Sequence, residues 1–242
     1  MLLKRKADRR ISVSESKRPE WADRIDDMHA DMGVEEARQL ASDLLAEALP
    51  RRWSHTVAVA KTAAGLASRL APSAADEIVC AAWLHDIGYA PRLINTGFHP
   101  LDGAAYLAGL SGTGQVAAEV VALVAHHTGA AFEARERGLS DALAGYPEPD
   151  QTNLAILSCA DLCNGPDGAP VDPAGRLSEV LARYPADHPV HRAIAQSAPM
   201  LVAQSCRILE AAREVRCGTG FRASVVEKLW PEAAVSRVRA RR

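Results

Sequence analysis

The chain has 242 residues, of which 48% are hydrophobic and 24% are charged, as is ordinary for a globular protein. Its formal net charge of −2 and isoelectric point near 6.4 provide no broad basic field, so nucleic acid is not an expected partner. No apolar run reaches the roughly 18 residues of a membrane span. The first residues also lack the apolar region of a signal peptide, and we expect a cytoplasmic protein with reduced cysteines.

Apolar residues recur at helical spacing along most of the chain, and no valine- or threonine-rich run alternates as a strand would. The predicted helices cover, in chain order, residues 34–49, 53–70, 73–87, a segment with Pro100 in its first turn, 115–127, 133–138, 153–163 and 190–215. Gly88 is interpreted as the left-handed stop of the third helix. Residues 164–173 are rich in proline and glycine and predict a loop.

These elements predict an all-α fold with a single helical domain over residues 31–217. Residues 1–30 lack apolar periodicity, and we expect a disordered arm there. Residues 218–242 are interpreted as a basic tail, because arginines accumulate toward the end of the chain. Solvated ends are the simplest interpretation of both charged stretches.

The segment AAWLHDIGY ends an apolar run with His85 and Asp86. Histidine and aspartate are poor helix formers and are costly to bury, so a purely structural helix would not favour this pair. Other polar residues also fall on apolar stripes: His55 lies on the stripe of Val59, and Asp161 lies four residues after Leu157. Each has an ordinary explanation alone, but a pair of divalent metal ions accounts for all of them together.

The order His55, His85–Asp86, Asp161 resembles that of the HD superfamily of metal-dependent phosphohydrolases, which are all-helical proteins named after the His-Asp pair. The stretches HDIG, HPLDGA and AHHTG resemble the members with two additional histidines and a binuclear site. The resemblance covers about residues 50–165, which we take as the motif-bearing core, and the chain as a whole is similar to bacterial HD-domain proteins.

The resemblance implies a site with two divalent ions, such as iron or manganese, bridged by Asp86, with His85 and Asp86 as catalytic residues. The implied metal ligands are His55, His85, Asp86, His99, His126 and Asp161. One position stays open, because helical periodicity favours His127 whereas motif position favours His126. We give the motif more weight and keep His127 as a further ligand or a substrate contact.

The implied reaction is the hydrolysis of a phosphomonoester or phosphodiester by a metal-bound hydroxide, with a nucleotide or a related small phosphorylated metabolite as substrate. Arg92, Arg135 and Arg137 are candidate phosphate-binding residues, with Arg92 the first choice, although a solvent-exposed arginine is the simpler interpretation of each one alone. Two alternatives share the ligand set. One is an HD-fold di-iron oxygenase that cleaves a C–C or C–P bond, and the other is a non-catalytic, metal-containing domain that binds a ligand.

Overall fold

A computed structural model describes residues 32–111 and 116–216, and the secondary structure in these ranges is helical apart from turns, loops and one isolated bridge between Asn164 and Pro170. The all-α prediction is confirmed. The α-helices are, in chain order, α1 (Val34–Leu45), α2 (Pro50–Leu70), α3 (Ala75–Leu84), α4 (His99–Ser111), α5 (Ala118–His126), α6 (Ala130–Arg137), α7 (Ser140–Leu143), α8 (Gln151–Leu162), α9 (Pro173–Arg183) and α10 (Pro189–Arg216). Short 3-10 turns occur at Pro72–Ala74, Ile87–Tyr89 and His127–Gly129.

One large hydrophobic core joins α1 to α8 and the end of α10. Leu45, Ile78, Leu123, Ile156 and Ile208 are all fully buried in it. Each such side chain contributes about 1.5–3 kcal/mol by leaving water, so this core carries most of the stability of the domain. It forms a rigid frame around the ends of the helices, where the polar residues of interest lie.

A second, smaller cluster fixes α9. Leu177 of α9 packs on Leu162 of α8 and Leu201 of α10, and all three leucines are buried. The helix begins after Asp172, whose carboxylate accepts a hydrogen bond from the Gly175 N–H at 2.9 Å. The loop over residues 164–172 was predicted, but the helix that follows it was not.

The third helix is shorter than predicted. It ends at Leu84, and the chain continues through a turn into Ile87–Tyr89. Gly88 has no positive φ, so its interpretation as a left-handed stop was wrong. Glycine is needed there for another reason, because a Cβ atom would lie 2.1 Å from the His99 carbonyl oxygen. The missing side chain lets the start of α4 approach the His85–Asp86 turn.

The predicted arm over residues 1–30 and the predicted tail over residues 218–242 lie outside the described residues. In residues 32–111 and 116–216, no helix combines the length and the apolar character that crossing a membrane requires.

Candidate metal centre

Polar side chains from five separate parts of the chain meet at one end of the helical frame. His55 lies in α2, His85 and Asp86 follow α3, His99 begins α4, His127 follows α5, and Asp161 lies near the end of α8. The contacts are short: the His55 Nε2 atom is 3.0 Å from Asp161 Oδ1, and the His99 Nε2 atom is 3.5 Å from Asp86 Oδ1. The fold therefore brings together residues that are more than a hundred positions apart in sequence.

The cluster contains two groups of possible metal ligands that share Asp86. The first is His55, His85 and Asp86, and the second is Asp86, His99 and His127, with ligand atoms within 4.8 Å of one another in each group. Asp86 Oδ2 lies 3.3 Å from His85 Nε2 in the first group, whereas Oδ1 faces His99 in the second. Its two carboxylate oxygens can thus serve two neighbouring ions.

Backbone carbonyls orient three of the imidazole rings. The Nδ1 atoms of His55, His85 and His127 lie 2.9, 2.8 and 2.7 Å from carbonyl oxygens of Gly165, Ala82 and Val124, respectively. A carbonyl oxygen can only accept, so each Nδ1 carries the hydrogen and donates it. In its neutral form each ring then presents the lone pair of Nε2 to the cluster, as metal-binding histidines do.

Two observations test whether a divalent ion fits these residues. The buried Nε2 atom of His85 makes no hydrogen bond within the described part of the chain, although it lies close to Asp86. The Nε2 atoms of His99 and His127 face each other at 3.1 Å. Two nitrogens about 2.1 Å from one ion, at a right angle, lie about 3.0 Å apart. The first feature fits a cation in the group of His55, His85 and Asp86, and the second fits a cation held by both His99 and His127.

The ionisation of the acidic residues also suits a cation. Burial raises the pKa of Asp86, but the Arg52 guanidinium and the neighbouring histidines outweigh burial and hold it well below its ordinary value. Burial also raises the pKa of Asp161, but His55 and His85 together outweigh burial and lower it. Both carboxylates are therefore ionised at neutral pH, as metal ligands must be.

The histidines differ in their affinity for protons. Burial lowers the pKa of His85, but the Asp86 and Asp161 carboxylates outweigh burial, and the net effect raises the pKa to about 9. Burial lowers the pKa values of His99 and His127, which keeps both rings neutral. A proton and a metal ion compete for the same Nε2 lone pair, so the proton on His85 must leave before an ion binds there.

Arg52 was not among the residues singled out from the sequence. It donates a hydrogen bond from Nη1 to Asp86 Oδ2 at 2.8 Å, and its guanidinium lies 4.0 Å above the Tyr89 ring. Tyr89 in turn stacks on His99 with ring centroids 4.1 Å apart. Arg52 precedes His55 by three residues on α2, and this spacing, which puts two side chains on one helix face, is the signal that could have identified it.

Thr128 was also missed. It has a φ of 46°, which is uncommon for any residue but glycine and strained for a β-branched one. Two hydrogen bonds hold it: its N–H donates to Ser158 Oγ at 2.9 Å, and its Oγ1 donates to Asp161 Oδ2 at 2.6 Å. This backbone conformation costs about 1–3 kcal/mol. The hydrogen bond from Thr128 holds the carboxylate of Asp161 with Oδ1 toward His55.

The structure separates the two adjacent histidines. His127 points into the cluster, whereas His126 directs its Nε2 toward the Tyr146 carbonyl oxygen at 3.4 Å and belongs to neither group of possible ligands. The chain leaves the helix between them, with His126 as the last residue of α5. The geometry therefore favours His127, although the motif argument gave His126 more weight.

A cavity of about 120 Å³ adjoins the cluster. Asp86, His99, His127 and Asp161 line it together with residues of α9 and α10. The candidate phosphate-binding arginines from the sequence do not line it: Arg92 is exposed, Arg135 donates to Gln196, and Arg137 donates to Glu133. Among the described residues, the arginines that do line the cavity are Arg52, Arg176 and Arg183.

Comparison with known proteins gives one match. Residues 52–164 match the family model of the HD domain, a segment that runs from Arg52 to just beyond Asp161. A comparison with curated proteins found no match, and a comparison with solved structures found none either.

Proposed function

The chain is an HD-domain protein, a member of a superfamily of metal-dependent hydrolases, and from this premise we propose that it hydrolyses a phosphoester bond in a small phosphorylated metabolite such as a nucleotide. The observation that carries the proposal is the pair of His/Asp groups that share Asp86. A bridging carboxylate between two groups of ligands is the arrangement of a two-ion site, and such sites suit in-line displacement at phosphorus.

The proposed ligands of the first ion are His55, His85, Asp86 and Asp161, and those of the second are Asp86, His99 and His127. We propose His127 rather than His126 for the open position because its Nε2 is next to that of His99. Iron, manganese or a similar ion suits imidazole and carboxylate ligands. Such ions would polarise a phosphoryl oxygen and lower the pKa of a water molecule from about 15.7 to about 7.

The residues of the chain supply the remaining parts of the proposed reaction. Arg52 lines the cavity beside Asp86, where its planar guanidinium can donate hydrogen bonds to a phosphoryl oxygen. The backbone carbonyls that hold His55, His85 and His127 keep the imidazole rings in one orientation. Thr128 keeps Asp161 in place, so the ligand set is fixed before the substrate arrives.

The cavity favours a catalytic role over the non-catalytic alternative. A structural metal site is closed by protein ligands, whereas a catalytic one leaves room for water and substrate. Here Asp86, His99, His127 and Asp161 all line a space that the other described residues leave open. A small anionic molecule is the proposed partner. We also propose a cytoplasmic location, in keeping with the free thiols of Cys80, Cys159, Cys163 and Cys206.

The first experiment is metal analysis of anaerobically purified protein, with two adjacent variants as a matched pair. We expect about two ions per chain in the wild type and in His126→Ala, and about one in His127→Ala, because only His127 lies beside His99. If His127→Ala retained two ions and His126→Ala lost one, His126 would be the ligand, as motif position predicts.

The same preparations are then assayed against p-nitrophenyl phosphate and a panel of nucleotides, with and without dioxygen. Phosphoester cleavage that does not depend on dioxygen, detected as released alcohol or phosphate, supports the hydrolase. Metal-loaded protein that cleaves no phosphoester, or that turns over a substrate only when dioxygen is present, contradicts it and favours the oxygenase alternative.

A further inference from the structure

Helix α9 lies beyond the segment that matches the HD domain, yet it contributes to the same cavity. Arg176, Val180, Arg183 and Tyr184 line this space together with the His/Asp cluster, and we call these four residues the arginine wall. Leu177 anchors the helix to α8 and α10 through the small leucine cluster. The wall therefore lies outside the matched residues 52–164, at a position where a substrate can reach it.

The two arginines of the wall already share one anion. The carboxylate of Glu179 accepts hydrogen bonds from Arg176 through one oxygen and from Arg183 through the other. Arg176, Glu179 and Arg183 lie three and four residues apart on α9, which places all three on one side of the helix. One carboxylate against two guanidinium groups leaves the trio with a net charge of +1.

Exposure distinguishes Arg176 from its carboxylate partner. The side chain of Arg176 is only 10% exposed, whereas that of Glu179 is 44% exposed and does not line the cavity. A half-exposed carboxylate on a helix surface is weakly held, because water competes for it. An anion inside the cavity can therefore compete with Glu179 for the hydrogen bonds of Arg176 and Arg183, which line the cavity.

We propose that Arg176 and Arg183 form a second anion-binding subsite, so that the substrate carries two anionic groups. This inference rests on the proposed function: the phosphoryl group that reacts lies at the metal centre, and a second phosphate or carboxylate of the same molecule lies at the arginine wall. Guanidinium groups bind both kinds of anion through paired N–H donors. A neutral alcohol leaving group would leave the wall unused.

The test measures binding rather than turnover, by titration calorimetry on the metal-loaded full chain. The probes are alkylphosphonates of three to six carbons, compared with chains of the same length that end in a carboxylate or a second phosphonate. Phosphonates keep a P–C bond that a phosphoesterase does not cleave. For the best chain length, we expect the second anion to tighten binding about tenfold or more in the wild type.

Two arginine variants and one control show which residues cause the tighter binding of probes with a second anion. In Arg176→Gln and Arg183→Gln we expect the advantage of the second anion to fall to about twofold, with unchanged affinity for the monophosphonate. Arg135→Gln removes an exposed arginine that contacts Gln196 outside the cavity, and it should keep the full advantage. Thermal melts identify any variant that fails to fold, and Arg183, whose side chain is 38% exposed, is the safer of the two positions.

Glu179→Gln separates an anion subsite from a structural ion-pair network. It removes the competing carboxylate charge and keeps both arginines, so the advantage of the second anion should persist or grow. Loss of the advantage in this variant, or its absence from the wild type, overturns the subsite. A wild type that prefers the second anion but hydrolyses no phosphoester supports the subsite and contradicts the proposed hydrolase.

Discussion

The metal centre and the arginine wall hold their polar groups in different ways. In the metal centre, His55, His85 and His127 are almost fully buried, and each ring is fixed by a hydrogen bond to a backbone carbonyl. In the wall, Arg176 and Arg183 are held by the half-exposed carboxylate of Glu179. Metal ligands need fixed positions, because coordination distances vary little, whereas an arginine can follow a flexible substrate. The contrast predicts large effects for changes in the centre and small ones in the wall.

The largest effect is expected from Asp86→Asn. The amide keeps the shape of the side chain but removes the negative charge shared by both ligand groups. Two facing dications then repel each other more strongly, so we expect fewer than two ions per chain and no measurable phosphoesterase activity. Elemental analysis and the p-nitrophenyl phosphate assay measure both outcomes. A variant that retained two ions and full activity would falsify the binuclear hydrolase.

The same substitution should also lower stability. Asp86 pairs with Arg52 at 2.8 Å, and its side chain is only 3% exposed. Removing one partner of such a pair leaves the other without compensation, and we expect a loss of about 2–3 kcal/mol in the free energy of unfolding. Far-ultraviolet circular dichroism should still report wild-type helical content, because the hydrophobic core is unchanged.

The residues that the sequence identified are those whose chemistry conflicts with their neighbours. His85 and Asp86 end an apolar run, and Asp161 lies on an apolar stripe, so their need for a partner is visible without coordinates. Arg52 and Thr128 begin or follow helical segments where polar residues are ordinary, and apart from the spacing of Arg52 and His55 nothing in the sequence distinguishes them. Their roles depend on contacts with Asp86 and Asp161 across the fold.

Two further differences have local causes. The motif argument gave His126 more weight, but the chain leaves α5 after His126, and the ring of His127 rather than that of His126 lies beside His99. Helix α9 was missed although Asp172 and Pro173 form a good helix start, because the preceding residues are rich in glycine and proline. The missed helix carries the arginine wall, so the substrate side of the cavity was the part that could not be predicted.

Gly88 lies where the turn after α3 contacts the start of α4, and Gly88→Ala should have the next largest effect on metal binding and stability. The new Cβ atom would meet the His99 carbonyl oxygen at 2.1 Å and the Gly103 nitrogen at 2.7 Å, so α4 must move. We expect a loss of roughly 2–4 kcal/mol in the free energy of unfolding and reduced metal content, because His99 moves with the helix.

Gly65→Ala is the matched control for this substitution. Gly65 lies within α2, and a Cβ atom there would meet no other described residue within 4 Å, apart from its chain neighbours and the backbone of its own helix. Alanine is the better helix former by about 0.5–1 kcal/mol, so this variant should be slightly more stable with unchanged metal content. Equal behaviour of the two variants in urea denaturation would argue against a close approach at Gly88.

Thr128→Val tests the positioning of Asp161 with a smaller expected effect. Valine has the same β-branched shape, so the strain at φ 46° remains, but the hydrogen bond to Asp161 Oδ2 is lost. We expect kcat/KM to fall about tenfold, which corresponds to one lost hydrogen bond to a charged group. Thr128→Ser keeps the hydroxyl and should stay within about threefold of the wild type. A serine variant as impaired as the valine variant would show that the methyl group, not the hydrogen bond, matters.

The smallest effect is expected in the arginine wall itself, from Arg183→Gln on stability. The Arg183 side chain is 38% exposed and its carboxylate partner 44% exposed, and pairs of this kind contribute about 0–1 kcal/mol. We therefore expect the free energy of unfolding, measured in urea, to change by less than about 1 kcal/mol, against the loss of about 2–3 kcal/mol in Asp86→Asn. Raising the salt concentration should narrow the difference between wild type and Arg183→Gln, since salt screens exposed charges. A loss as large as that of Asp86→Asn would mean that the wall is a structural element like the centre, and the contrast between adaptable arginines and fixed metal ligands would no longer hold.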